Sequence, residues 1–316
     1  MHSSSDELHQ KRHDIKSMNP ISRIFSRLFR RSQPASAPAS SDPVGSTAAQ
    51  VTPTAAAASR NRLIVASGQS TGIERSHNED ALLLLNGYSV GMDSHSDFGV
   101  FIVADGMGGH RAGEVASAVS IRTVARKITE HTVLQLLNGE NDNDSEPLQD
   151  QLRQALEEAN QAVVDTVPGG GTTLTVAILV GNHVTIGHVG DSRAYFIQNG
   201  KAEVITRDHS LVERLRELGQ LTEEEAAVHP QRNVLYRAIG QGANLEVDVF
   251  SMSVPKGGYM LICSDGLWGV VPDPTMLEIV HSAPNPQTAC DQLVQAANFA
   301  GGPDNISVVL VQFPEE

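Results

Sequence analysis

FGVFIVADGMGGHRAGE, residues Phe98–Glu114, is the stretch on which the fold turns. Val100, Phe101, Ile102 and Val103 form a short continuous apolar run, which suits a strand in the core of a sandwich. Gly106, Gly108 and Gly109 stop that strand and accept backbone angles that bulkier residues resist. A helix is expected to follow. Between strand and glycines stands Asp105. An ionised carboxylate is not stable at the end of an apolar strand unless a metal, a cation or hydrogen bonds compensate it. The rest of the chain has to supply that compensation.

The chain has 316 residues, 40% of them hydrophobic, enough for a substantial core. Its formal net charge of −14 is unevenly spread. Residues 1–62 hold 9 Lys and Arg against 4 Asp and Glu, leaving 14 against 33 in the remainder, a balance of −19. Such an acidic body argues against nucleic acid as a partner and suits a protein that gathers carboxylates around cations. Cys263 and Cys290 are the only cysteines, each in an apolar segment. They form no CxxC pair, so a reducing, cytoplasmic setting without a thiolate zinc site is expected. Apolar runs such as Leu174–Val180 fall far short of a membrane span, and no secretory signal is evident.

Residues 1–60 read as an N-terminal extension and 61–316 as the folded body. Within the extension, Met18–Arg31 spaces Ile21, Ile24, Phe25, Leu28 and Phe29 helically among four arginines. That is a basic amphipathic helix suited to an anionic membrane surface or a partner groove, or else a marginal helix heading a tail. Residues 32–59, rich in Ala, Ser, Pro and Thr, read as a flexible linker. Further on, helical spacing through Ala118–Ile128 and Leu148–Val163 brackets a polar loop, Asn138–Glu146. Strands follow at Thr172–Val180, His183–Val189, Arg193–Gln198 and Ala202–Thr206, with Gly181-Asn182, Gly190-Asp191 and Asn199-Gly200 read as hairpin turns. Thr222 with Glu225 forms a capping box, and helices are expected to start at Asp273-Pro274 and Asn285-Pro286. The grouping of hairpins and helix pairs predicts an α+β layered fold, not alternating βαβ units.

Asp105 now acquires company. Glu79 and Asp80 precede the apolar Ala81–Leu85, Asp191 follows His183–Val189, Asp265 follows Tyr259–Cys263, and Asp304 precedes Ile306–Phe313. One such acid is more often a plain turn residue. The recurrence of an apolar strand beside each acid favours a shared rim of hard oxygen donors, which selects Mg²⁺ or Mn²⁺. Arg75, four residues before Glu79, can grip a phosphate or carboxylate with its fork, or form a surface salt bridge.

Eight segments, in this order, carry a family resemblance: RSHNED (Arg75–Asp80), VADGMGGHRAGE (Val103–Glu114), GGTTLTVAIL (Gly170–Leu179), GHVGDSRAY (Gly187–Tyr195), ITRDHSLV (Ile205–Val212), LYRAIG (Leu235–Gly240), CSDGLWGVV (Cys263–Val271) and GGPDNISVVLV (Gly301–Val311). Together they resemble the metal-dependent protein phosphatases of the phosphatase 2C type. The resemblance implies an α-β-β-α sandwich of two antiparallel sheets flanked by helix pairs. It also implies two metal ions, and a weaker third as in bacterial-type members. Asp105 would bridge two ions, Glu79 and the Gly106 carbonyl holding one, Asp265 and Asp304 the other. Asp191 with Asp265 would hold the third, and Arg75 would bind the substrate phosphate. Asp80, Asp208 and Asn305 match positions that support the ligands or contact water, although Asp208 could equally cap a helix starting near Ser210. Ser210–Arg237 would form a flap beside the cleft.

The implied chemistry is hydrolysis of phosphoserine and phosphothreonine in proteins by a metal-bridging water, opposing a Ser/Thr kinase. The competing readings are a catalytically silent phosphoprotein-binding scaffold and a metal-dependent nuclease, the latter disfavoured by the charge. Many family members place a histidine after the first Asp-Gly as general acid. Met107 stands there instead, and His110 reads as an exposed turn residue. Trp268, the lone tryptophan, reads as packing rather than a substrate platform.

Overall fold

Val100 to Ala104 are all buried, and alternation along the strand sends them to two different cores. Val100, Ile102 and Ala104 pack under helices, whereas Phe101 and Val103 point the other way, against a second sheet. Successive side chains of a strand leave on opposite faces, so a strand covered on both sides must be apolar throughout. That is the physical origin of the unbroken run in the sequence.

The structure is a computed structural model and describes residues 62–90, 95–108, 111–133 and 146–315. Its elements are β1 (Ile64–Ser70), β2 (Ala81–Val90), β3 (His95–Ala104), β4 (Gly106–Met107) and α1 (Ala112–Ile128), which runs into a π-helical turn at Thr129–Val133. Then come α2 (Leu148–Thr166), β5 (Gly171–Thr172), β6 (Leu174–Val180), β7 (His183–Val189), β8 (Arg193–Gln198) and β9 (Lys201–Val204). The chain continues through α3 (Leu211–Glu217), α4 (Glu223–Ala227), β10 (Asp248–Ser253) and β11 (Tyr259–Cys263). It ends with α5 (Asp265–Trp268), α6 (Asp273–Ser282), α7 (Pro286–Phe299) and β12 (Ile306–Gln312).

One sheet runs β1-β12-β11-β8-β9 and the other β10-β7-β6-β3-β2, with antiparallel neighbours throughout. Three apolar cores separate four layers. Val124, Ile128, Leu152 and Leu156 of α1 and α2 cover the sheet that contains β3. Met276, Val280, Cys290 and Leu293 of α6 and α7 cover the other, on Leu261, Cys263, Val308 and Leu310. Between the sheets, Phe101, Val103, Ala177 and Leu179 meet Met260, Ile262, Val309 and Val311. The α+β class and the α-β-β-α sandwich are both as expected.

One turn was misread. Gly181-Asn182 and Asn199-Gly200 do close hairpins, β6–β7 and β8–β9. Gly190-Asp191 does not: β7 belongs to one sheet and β8 to the other. It is the link on which the chain crosses between the sheets. Local turn chemistry looks the same in both cases, and only the pairing of β8 with β11 distinguishes them. Several boundaries also shift, the strand expected at Ala202–Thr206 lying at Lys201–Val204. Pro272 occupies the cap of α6 and Asp273 its first turn, whereas Asn285 caps α7 as expected and Thr222 with Glu225 forms its capping box on α4. The amphipathic segment 18–31, the linker 32–59, the start of the body near Asn61, His110 and most of the polar loop at 138–146 lie outside the described residues.

Candidate metal centre

Asp105 leaves the end of β3 held by both of its main-chain groups. Its N–H donates to Thr173 Oγ1 (2.9 Å), and its carbonyl accepts from the Thr173 N–H (2.8 Å) and the Thr172 hydroxyl (2.8 Å). Immediately beyond, Gly106 has no room for a side chain, because a Cβ would run into the Glu79 and Gly113 carbonyl oxygens. This closeness brings the loop before β2, the end of β3 and the start of α1 onto one spot. Thr172 and Thr173 lie in a quoted motif, but sequence reading gave them no role; hydroxyls at the mouth of a wholly apolar strand were the available signal.

The acids from both sheets sense one another. Burial pushes Asp105 well above the usual carboxylate range, and Asp80, Asp265, Asp191 and Asp304 push it further. Burial, then Asp304, raises Asp265 to about 6. Burial raises Asp80 to about 7, against the pull of the Ser307 and Ser264 hydroxyls. Asp191 is likewise pushed well up by burial, then by Asp265 and Asp208. Two buried oxygens, Asp80 Oδ1 and Asp265 Oδ1, have no hydrogen-bond partner. Buried carboxylate oxygens that repel one another and lack donors are chemically suited to a hard divalent cation. Among the described residues, no three His, Cys, Asp or Glu side chains are already closed into a metal cage. The acids meet through charge, not through shared coordination geometry.

Glu79 sits within this group. Its N–H donates to Asn305 Oδ1 (2.7 Å), its carbonyl accepts from Ser117 Oγ (2.6 Å), and its carboxylate meets His77 Nε2 at 3.2 Å. Asn305 Nδ2 also donates to the carbonyls of Thr71 (2.8 Å) and His77 (3.0 Å). Asn305 is therefore a clamp on the loop that carries Arg75 and Glu79. Asp80 has a similar supporting contact, its Oδ2 accepting from Ser264 Oγ at 2.9 Å beside Asp265. Arg75 reaches Asp304 Oδ2 at 2.6 Å and keeps half of its side chain exposed. Met107 pairs with Gly171 across β4–β5 and offers no proton.

Asp191 occupies the link between the sheets. Its carbonyl accepts from Trp268 Nε1 (3.0 Å), and the Trp268 ring lies under the Arg193 guanidinium at 3.6 Å. Trp268 is thus packing, as expected. Asp208 does not cap α3; Ser210 does that, and Asp208 instead takes the Arg193 fork at 2.8–3.2 Å. Behind the link lie two buried histidines that the sequence gave no reason to single out. His188 Nε2 donates to the Arg207 carbonyl (3.0 Å) and Nδ1 accepts from Thr175 Oγ1 (2.9 Å), a fully satisfied neutral ring. Burial, then His209, lowers its pKa to about 3. A depressed histidine contributes stability that is complete above the unfolded value near 6.5 and lost as pH falls toward 3. The unfolding free energy from urea melts should therefore drop on acidification between about pH 6.5 and 3, with a slope shallower in His188→Asn by about 1.4 kcal/mol per pH unit. An unchanged slope would refute the assignment.

A cavity of about 970 Å³ is lined by Arg207, His209, Tyr236, Arg237 and Asp248 among others. None of the proposed ligands lines it. Its arginines are engaged by carboxylates, Arg207 with Glu217 and Arg237 with Glu246 and Asp248, so the chemistry is placed at the acids instead. Both cysteines are free and buried, and burial raises both thiols, which leaves neither as a nucleophile.

Comparison with known proteins bears on this arrangement. The family model described as Protein phosphatase 2C matches residues 64–241. The serine/threonine phosphatase stp of Listeria monocytogenes is 39% identical over 244 residues, 75% of this chain and 91% of its own. The Mycobacterium tuberculosis serine/threonine phosphatase PstP/Ppp superposes with a TM-score of 0.66 at 32% identity, over 79% of this chain and 98% of that one. A structure of the PstP catalytic domain in complex with two manganese ions matches with a TM-score of 0.64 at 31% identity, over 79% and 97%. The sandwich with its buried acids, the matched family model and relatives spanned over nine-tenths of their length agree: the chain belongs to the protein phosphatase 2C family.

Proposed function

We propose that the protein is a Mn²⁺- or Mg²⁺-dependent phosphatase of phosphoserine and phosphothreonine in proteins. One observation carries this reading: mutually repelling carboxylates from both sheets are buried together, two of their oxygens unpartnered. A silent scaffold of the same fold would gain nothing from such a cluster, whose cost near neutral pH a bound cation offsets. In the proposed ligand set, Asp105, Glu79, the Gly106 carbonyl, Asp265 and Asp304 would hold two ions, and Asp191 with Asp265 would hold a weaker third. Divalent cations, when bound, supply Lewis acidity that shields phosphate charge and acidifies water for attack on phosphorus.

The chain's own residues do the rest. Thr172 and Thr173 fix the peptide of Asp105, and Asn305 fixes the loop of Glu79 and Arg75. The Arg75 fork, half exposed and beside the acids, is oriented to take a phosphate oxygen while Asp304 holds it in place. Ser210–Arg237, which contains α3 and α4, is proposed as the substrate-facing flap. Its base is closed by the Ser210–Leu235 bridge, and Ile239 pairs with Thr172 just behind Asp105. No cysteine or serine is needed as a nucleophile.

The direct test is hydrolysis of p-nitrophenyl phosphate and a phosphothreonine peptide with Mn²⁺, abolished by EDTA and restored by the metal. Arg75→Ala should raise KM for both by roughly tenfold or more, about 1.4 kcal/mol of lost charge-assisted binding. Metal-independent turnover would end this reading. A Ser/Thr kinase is the proposed counterpart. Among the described residues no helix is long and apolar enough to cross a membrane. The cytoplasmic setting remains part of the proposal, with peripheral contact through residues 18–31. Liposomes rich in anionic lipid should pellet the full chain but not a chain lacking residues 1–60. Equal pelleting would dispose of the membrane contact.

A further inference from the structure

Phe299, Val228 and Ile73 are the most exposed large apolar side chains among the described residues, at 82%, 79% and 69%. Two of them, Ile73 and Phe299, belong to the segments that meet at Gly302, one of which carries Arg75. The Ile73 and Glu74 N–H groups both donate to the Gly302 carbonyl, at 2.7 and 3.1 Å, and the Gly302 N–H donates to Ala297 at the end of α7, two residues before Phe299. Gly302 has φ +51°, and a Cβ there would press on Ile73 Cγ1 and Asn298 Oδ1. Ile73 therefore lies over the turn that leaves α7. The same two stretches carry the polar pair: Arg75 two residues after Ile73, and Asp304 two residues after Gly302.

We propose that Ile73 and Phe299 form an apolar lip that receives a hydrophobic residue of the protein substrate, one or two positions from the phosphorylated side chain. The proposal rests on the phosphatase reading of the Arg75 site. Its occupant follows from continuity with that site. Ile73 and Arg75 are separated by at most about 7 Å of chain, the reach of two extended residues. A polypeptide with its phosphate on Arg75 would bring its neighbouring residues within reach of Ile73. Burying a leucine-sized side chain there in part is worth about a factor of ten in kcat/KM. An isolated exposed apolar residue means little; two on segments joined at Gly302, one of them carrying the proposed phosphate-binding arginine, are what the proposal rests on.

The test uses the full chain with Mn²⁺ and phosphothreonine peptides that differ only in Leu or Ser at −2, −1, +1 or +2. At one of these positions the Leu peptide should be preferred about tenfold. Ile73→Ser and Phe299→Ser should each reduce that preference to about twofold, with kcat/KM for p-nitrophenyl phosphate unchanged, while Ile73→Leu retains it. Equal rates for Leu and Ser at every position overturn the lip, as does a preference that survives both serine variants. Self-association or vesicle binding lost in those variants, without any peptide preference, reassigns the patch and overturns it too. Failure of the wild type on p-nitrophenyl phosphate strikes the phosphatase reading itself, a distinct result.

Discussion

Asp265→Asn is expected to lower kcat by at least about a thousandfold, roughly 4 kcal/mol of transition-state stabilisation, while making the metal-free protein more stable at pH 8. The two effects share one cause. Asp265 is held at the mouth of β11 with Oδ1 buried and unpartnered, its pKa raised to about 6 by burial and by Asp304. At pH 8 it is ionised in both folded and unfolded chains, so the native state carries an uncompensated charge that asparagine removes. Each kcal/mol regained corresponds to a rise in Tm of roughly 2–4 °C for a domain of this size. The same substitution deprives two proposed ions of an anionic ligand, which an amide oxygen replaces poorly. A variant that loses both activity and metal-free stability would mean that Asp265 is a structural residue. One that stays active would remove it from the ligand set.

The second large effect concerns pH and metal together. Asp80 and Asp265 titrate near 7 and 6 in the metal-free fold, against about 4 when unfolded. A carboxyl whose folded pKa is raised contributes stability that is complete below its unfolded value and lost as pH rises through the folded one. The metal-free protein should therefore weaken between about pH 4 and 7. Mn²⁺ requires the deprotonated acids, so its contribution grows over the same interval. At a hundred times Kd it adds about 2.7 kcal/mol. The gap in urea midpoint between Mn²⁺-loaded and EDTA-treated protein should widen steadily from pH 5 to pH 8. His188 acts equally on both forms and cancels in the difference. A constant gap would show that the acids do not take up the ion.

Much of the fold was legible because its strands are buried on both faces. Val100–Val103 and Val308–Val311 are unbroken apolar runs for that reason, and the helices around Leu152 and Val124 show their period. The acids were legible because each interrupts or borders such a run. What could not be read is whatever depends on which strand neighbours which. Gly190-Asp191 has the chemistry of a hairpin turn, and only the partners of β8 reveal a crossing. Asp208 precedes a helix and looks like a cap, yet Arg193, 15 residues away, claims its carboxylate. Ser264 is a small polar residue whose value lies in reaching another segment, the Asp80 carboxylate, and nothing in its local sequence announces it.

The crossing at Gly190-Asp191 has a consequence for how the molecule comes together. Glu79, Asp80 and Asp105 arrive with one sheet, Asp265 and Asp304 with the other, and Asp191 from the span that joins them. Neither half of the sandwich owns the whole of the proposed ligand set. A chain in which only one sheet has formed would offer a cation only part of it. On that proposal, ion capture would be a coincidence detector for assembly, registering only when both halves are seated, and a loaded centre would work as a rivet across the seam between them.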